Sequence, residues 1–208
     1  RHKEYDWYVF NSHWNYEKFR YFFNIPTDRS AVIKNGIEEF PIRKIYKKGD
    51  PIKLIHHCTP WRGLNVMLRA MQEIKDPKIT LDVYSSSYVY GSDFAKVHDE
   101  EYIPLYEQAK ELPNVNYIGY KPHEFIREMM PNYDTCAEWP VYVNYSTNYE
   151  QMAMDTASAI HTASNYLHED FIQEHLEQQQ QYFKKFYNWK KKGYEWTTFL
   201  KGALNEKK

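Results

Sequence analysis

Between Ile52 and Met130 short apolar runs alternate with amphipathic helical stretches, and this alternation restricts the fold more than any other feature of the chain. Ile52 to His57, Thr80 to Tyr84 and Val115 to Ile118 have strand length. Leu64 to Ile74, Glu101 to Leu112 and His123 to Met130 have helical period. Strands joined through helices need right-handed crossovers, which produce a parallel sheet covered by helices. The expected fold class is α/β, a Rossmann-like parallel sheet flanked by helices, with the C-terminal helices packed on it. Ligands of such sheets bind beyond the carboxyl ends of the strands. His57 to Arg62, Ser85 to Tyr88 and Gly119 to His123 emerge there.

The best-defined unit is PIKLIHHCTPWRGLNVMLRAMQ, read as a strand to His57, a turn over Cys58 to Arg62 and a helix with Leu64, Met67, Leu68 and Met71 on one stripe. A helix N-terminus carries unpaired amides and partial positive charge, so Arg62 and Gly63 at that point suit an anionic ligand. The bland alternative is an arginine that serves solubility alone.

Upstream, Trp7 to Phe10 reads as a strand, Asn11-Ser12 as a cap, and His13 to Phe23 as a helix that stops before Pro26. A strand at Ala31 to Lys34 is closed by Asn35-Gly36, a dipeptide suited to positive φ. Lys44 to Pro51 is charged, carries Gly and Pro, and reads as a linker. Downstream, a strand is expected at Val141 to Asn144, then helices. Tyr149 to Leu167 aligns Met152, Ala153, Ala157, Ile160 and Ala163. Asp170 to Trp189 aligns Phe171, His175, Leu176, Gln179, Phe183 and Phe186. Tyr194 to Leu204 turns Trp196, Phe199 and Leu200 to a core.

With 208 residues the chain can bury an adequate core without staples. Only Cys58 and Cys136 are present and no CxxC pair exists, which points to a reducing, cytoplasmic setting and away from structural zinc. No apolar run is long enough to span a bilayer, and no signal segment is recognisable at Arg1. Lys plus Arg number 27 against 28 Asp plus Glu, so net charge gives no drive toward nucleic acid or anionic lipid; a basic stretch at Lys184 to Lys192 is the local exception. Aromatic residues reach 18%, with 20 Tyr able to stack on bases or sugars or simply to fill half-buried surface.

His56-His57-Cys58 make a poor metal set, since neighbours on a strand face opposite ways. His161, His168 and His175 would share a face only in one continuous helix, and Leu167 to Asp170 reads as a break. Glu100-Glu101 read as dipole charges at a helix start and not as a catalytic pair.

In their order the landmarks resemble the nucleotide-binding half of a GT-B glycosyltransferase, of the large retaining group that includes sucrose, glycogen and lipopolysaccharide glycosyltransferases. YVFNSHWNYEKF is similar to the segment where a strand ends in Ser and a helix begins, and SAVIKNGIE to the strand ending in Asn-Gly. PIKLIHHCTPWRGLNVMLRAM resembles the strand, Lys-Gly and helix, and ITLDVYSSS stands where that family has a glycine-rich loop. PNVNYIGYKPHEFIREMMPNYD and KKFYNWKKKGYEWTTFLKGAL resemble the later strand–helix unit and the closing helices.

The resemblance implies a transferase that moves a hexosyl group from a nucleotide-diphosphate sugar to a carbohydrate or other acceptor, with no cofactor or metal. It implies Arg62 and Gly63 at the donor diphosphate, with His57 and Trp61 beside them, and Ser85 and Ser86 offering hydroxyls where the family offers glycine backbone. Gly119 and Tyr120 would hold the base. Catalytic residues are not identified. The implied organisation is residues 1–43 as the end of an N-terminal domain and 44–208 as the donor domain, incomplete around 134–140. About two βα units, on the order of forty residues, are missing between Asp134 and Thr135, either deleted or absent from this sequence. The chain is thus expected to be a partial enzyme, inactive alone. The alternative reading is a non-catalytic Rossmann-like module that binds carbohydrate or a protein. The donor reading requires Arg62 beside an anion pocket above a parallel sheet.

Overall fold

The computed structural model describes residues 5–37, 45–133 and 148–205. The chain forms two compact units, one of Arg1–Phe40 with His175–Lys208 and one of Pro41–Glu174. The strand expected at Val141 to Asn144, Cys136 and the junction after Asp134 lie outside the described residues.

The second unit carries a three-stranded sheet in the order β3 (Ile52–His56), β4 (Ile79–Val83), β5 (Val115–Tyr117). All pairings are parallel, with Leu54 opposite Leu81 and Leu81 opposite Val115. The parallel α/β fold anticipated from the alternation is therefore present. Leu54, Leu81 and Val83 point to one face and are buried. Helices α2 (Leu64–Glu73) and α4 (Ile103–Glu111) pack together, and same-direction right-handed crossovers place both on one face of the sheet. Asn114 ties the layer by donating to the Met71 carbonyl at 2.9 Å and the Ile74 carbonyl at 3.3 Å. Leu64, Leu68 and Met71 are the buried stripe of α2, and burying each contributes about 2 kcal/mol.

The opposite face carries α5 (His123–Met129), whose Ile126 packs with Tyr84, Tyr133, Ile55 and Ile118. This layer contains a buried carboxylate, Asp82, whose oxygens are met by polar partners. It accepts from the Tyr133 hydroxyl at 2.6 Å and the Asn116 amide at 3.3 Å, and Lys53 Nζ lies 3.2 Å away. Burial, then the hydrogen bond to Asp82, pushes the Tyr133 phenol well above its ordinary range.

Helix α6 (Tyr149–Tyr166) is capped by Asn148, whose side chain accepts from the Gln151 amide, and it buries Ala153, Ala157, Ile160 and Ala163. It packs on α2; the alanines allow the close approach. Arg69 of α2 fixes the contact by pairing with Glu150 at 2.8 Å and with Glu73.

The first unit pairs β1 (Tyr8–Phe10) in parallel with β2 (Ser30–Val32), joined through α1 (His13–Phe23). Ser12 caps α1 by accepting from the Asn15 amide at 3.1 Å, and Asn24 closes it at φ 51. Helix α7 (Asp170–Phe186) ends in this unit, and α8 (Trp189–Asn205) follows. The Ile37 amide donates to the Tyr187 carbonyl at 2.6 Å, and the rings of Trp7 and Phe199 meet edge to face at 5.3 Å.

Several local expectations need correction. Between β4 and α4 lie a helical turn at Ser87–Tyr90, a short helix α3 (Ser92–His98), which the periodicity did not mark, and a tighter turn at Glu100–Tyr102 that runs into α4; only Ala95 of α3 is buried. Helix α4 accordingly begins at Ile103, not Glu101. Gly36 has no positive φ. Its need is steric, since a Cβ there would lie 2.6 Å from Trp189 Cδ2. Helix α8 starts five residues earlier than expected, at Trp189 and not Tyr194. Phe171, His175, Trp196 and Leu200 are exposed, so those apolar stripes are narrower than the pattern implied. The break between His161 and His175 is real, with α6 ending at Tyr166 and α7 starting at Asp170. Among the described residues no helix is long and apolar enough to cross a membrane.

Candidate functional site

The carboxyl edge of the β3–β4–β5 sheet gathers the anticipated segments on adjacent loops. Strand β3 ends at His56, one residue before the sequence pattern indicated. The chain then makes a tight turn in which the Arg62 amide donates to the Thr59 carbonyl at 3.0 Å. Gly63 enters the left-handed region at φ 83 and starts α2 directly above the strand end. That backbone is what glycine supplies here, because a side chain at this φ is strained.

Arg62 is exposed, and its side chain makes no hydrogen bond or ion pair among the described residues. The sheet beneath it is parallel as required, but among the described residues nothing holds the guanidinium, so the anion pocket that the donor reading calls for is not formed around Arg62. His57 is exposed as well, while its neighbour His56 is buried. Trp61 is 43% exposed and stacks on Tyr90, ring centroids 5.9 Å apart and planes 12° apart, with Phe94 and Tyr102 around it. Sequence reasoning placed Trp61 at the edge but did not foresee this aromatic group, because Tyr90 and Phe94 lie in the turn and helix it missed.

The serine loop after β4 is built inward. Ser85 is fully buried and its hydroxyl donates to the Cys58 carbonyl at 2.7 Å, which ties the loops after β3 and β4 together. The Ser86 hydroxyl donates to Asp99 Oδ2 at 2.6 Å and accepts from the Tyr88 amide at 3.0 Å. Asp99 Oδ1 accepts from the Ser87 amide and the Tyr106 hydroxyl, both at 2.9 Å. Both hydroxyls expected to face a nucleotide are thus engaged in holding the loop. Burial alone would raise the Asp99 carboxyl, but the hydrogen bonds from Ser86, Ser87 and Tyr106 outweigh it and hold it below the usual range. The same carboxylate, after burial, pushes the Tyr106 phenol upward. Tyr106 stacks on Tyr117 at 4.8 Å, and the Tyr117 hydroxyl donates to the Ser85 carbonyl. Burial, chiefly, raises the Tyr117 phenol to about 12.

After β5, Gly119 takes φ 77 and its amide, with that of Ile118, bonds the Val83 carbonyl. Tyr120 is 40% exposed and its ring meets Tyr88 at 4.7 Å. The loops after β4 and β5 therefore present a pair of half-open tyrosines at the sheet edge.

Two buried polar atoms on these segments lack a partner among the described residues: His56 Nε2 and Thr59 Oγ1. A buried polar atom without a partner costs about 1–3 kcal/mol. Burial, with a smaller contribution from His57, depresses His56 to about 4, so its ring is neutral. Asp99 was not singled out from the sequence, and His56 only as part of a rejected metal set; their importance rests on contacts and burial set by the fold. Among the described residues no group of three or more His, Cys, Asp or Glu side chains is placed to hold a metal ion.

No family model and no curated protein matches the chain. Solved structures do. A glycosyltransferase from Rickettsia africae is similar at TM-score 0.56 and 12% identity, over 94% of this chain and 63% of that one. Sucrose-phosphate synthase from Thermosynechococcus elongatus is similar at 0.56 and 12%, over 95% and 58%. Anabaena HepE, solved in complex with UDP and glucose, is similar at 0.57 and 11%, over 95% and 63%. The chain spans less than two thirds of the length of each. At this identity the likeness establishes the fold, a glycosyltransferase-like arrangement of parallel strands and helices.

Proposed function

We propose that this chain is the donor-binding part of a retaining GT-B glycosyltransferase, which moves a hexosyl group from a nucleotide-diphosphate sugar to a carbohydrate or other acceptor. The observation that carries the reading is the fold likeness, over about 95% of the chain, to a structure that holds UDP and glucose. Three local features support it. The carboxyl edge of the sheet, where such folds take ligands, carries Arg62 at the start of α2, exposed and unpaired among the described residues. Tyr88 and Tyr120 offer ring faces on the neighbouring loops. His56 and Thr59 leave buried polar atoms unsatisfied among the described residues at the same edge.

In this reading the diphosphate lies at Arg62 and the first amides of α2 above Gly63, through charge-assisted hydrogen bonds. His57 and Trp61 flank it. Gly119 and Tyr120 hold the base, and Ser85 and Ser86 act by shaping the loop between them. Residues 44–208 form the donor domain, residues 1–43 come from the end of the N-terminal one, and the protein works in the cytoplasm without metal or cofactor.

Thermal shift with UDP, GDP and ADP, alone and as sugar conjugates, tests this. Binding stabilises by RT ln(1 + [L]/Kd), so one base should raise Tm dose-dependently while inorganic phosphate does not. The exposed Trp61–Tyr90 group favours a second reading, a carbohydrate-binding module. Oligosaccharide binding with no response to any nucleotide would establish it and remove the first.

A further inference from the structure

The first unit contains a hollow of about 260 Å³ that the donor reading leaves unused. Its walls come from the end of β2, the start of α1, the end of α7 and the start of α8. Lys34, Lys191 and Lys192 line it together with one carboxylate, Glu195. Lys192 is 6% exposed and both oxygens of the half-buried Glu195 lie 2.9 Å from its Nζ, so the two opposite charges offset each other. Two lysine charges then remain over. The Lys34 ammonium donates to the Tyr187 hydroxyl at 3.0 Å; that bond raises the lysine and lowers the phenol. One proton of three is used there, which leaves two for an incoming anion. Lys191 Nζ sits 4.8 Å from the Phe186 ring centroid. His13 and Lys191 also place the first turns of α1 and α8 at the hollow, where helix amides add positive potential.

We propose that this hollow binds a small organic phosphate, its oxyanion held between Lys34 and Lys191 and its body against Val32, Phe186 and Tyr187. Among the described residues the charge excess favours an anion, and lysines act on phosphate as point charges without a fixed fork. The aromatic and aliphatic walls demand an apolar or ring-bearing body. The volume limits that body to about one ring, since drug-sized ligands need pockets of roughly 300–1,000 Å³. The inference does not rest on the donor reading, because none of the residues that line this hollow is among those assigned to the donor site. It also accounts for part of the basic stretch that ends at Lys192, which faces this hollow and its own aromatic neighbours instead of a nucleic acid.

Calorimetric titration of the full chain with phenyl phosphate, phenol and inorganic phosphate is the test. Phenyl phosphate should bind, with phenol and inorganic phosphate each about tenfold weaker. Lys34→Gln and Lys191→Gln should each weaken it by about tenfold, and added salt should weaken it further. In unmodified chain labelled with ¹³C-tyrosine, the Tyr187 Cζ resonance, assigned with Tyr187→Phe, should move on titration as Lys34 turns to the ligand. Absence of binding, indifference to both lysine substitutions, a still Tyr187 resonance, or displacement of phenyl phosphate by UDP at equal affinity would each overturn the proposal.

Discussion

The Asp99 carboxylate accepts a 2.6 Å hydrogen bond from the Ser86 hydroxyl across a separation of 13 residues. It thereby fixes the loop after β4 from a residue that follows α3. With the Ser87 amide and the Tyr106 hydroxyl on its other oxygen, this one side chain sets the shape of the central loop at the sheet edge. Ser85, bonded to the Cys58 carbonyl, passes that order to the loop that carries Arg62.

Replacing Asp99 with Ala removes three charge-assisted bonds from a half-buried site and should cost about 2 kcal/mol. Urea unfolding measures it, with the midpoint lowered and the slope unchanged. Nucleotide binding should weaken in the same variant; unchanged binding would mean that this loop does not shape the donor site.

His56 gives a pH dependence of known sign. Its folded value of about 4 lies below the ordinary 6.5, so the unfolded chain binds a proton that the native chain refuses. Stability is therefore complete above pH 6.5 and declines as pH falls from 6.5 toward 4, by on the order of 3 kcal/mol. His56→Gln should flatten this window. Asp99, held below 3.8, loses its contribution only at still lower pH, so the two effects separate in a pH series of denaturation curves.

Arg62 is exposed and unpaired among the described residues, so Arg62→Gln should leave Tm within the range of a surface change, about 0.5 kcal/mol. Nucleotide diphosphate affinity should fall by about tenfold or more, as loss of a charge-assisted contact requires. Equal affinity in both proteins would remove Arg62 from the site while leaving the fold assignment untouched.

Gly36→Ala forces a methyl against the Trp189 ring and should destabilise the chain by about 1 kcal/mol, moderated by the half-exposed position of the tryptophan. In a Trp189→Leu background the penalty should largely vanish. A double-mutant cycle reports this coupling directly.

The sequence by itself determined the parallel α/β fold and the edge at which its loops emerge. Strand length, helical period and the apolar stripe of Leu64, Leu68 and Met71 are local properties, repeated often enough to survive small errors at the ends. It also placed Arg62, Gly63 and Gly119 on the right loops, since a glycine at a strand end marks backbone that other residues resist. Only the tertiary structure decided what the side chains there do. Ser86 reads only as a loop residue and Asp99 carries no local signal, and their bond exists because folding brings the end of α3 back to the loop after β4. Helix α3 itself escaped notice because a seven-residue helix with a single buried alanine leaves no periodic stripe. His56 and His57 are indistinguishable as letters; the pleat turns one into the interior and leaves the other in water, and burial alone makes the first of them neutral.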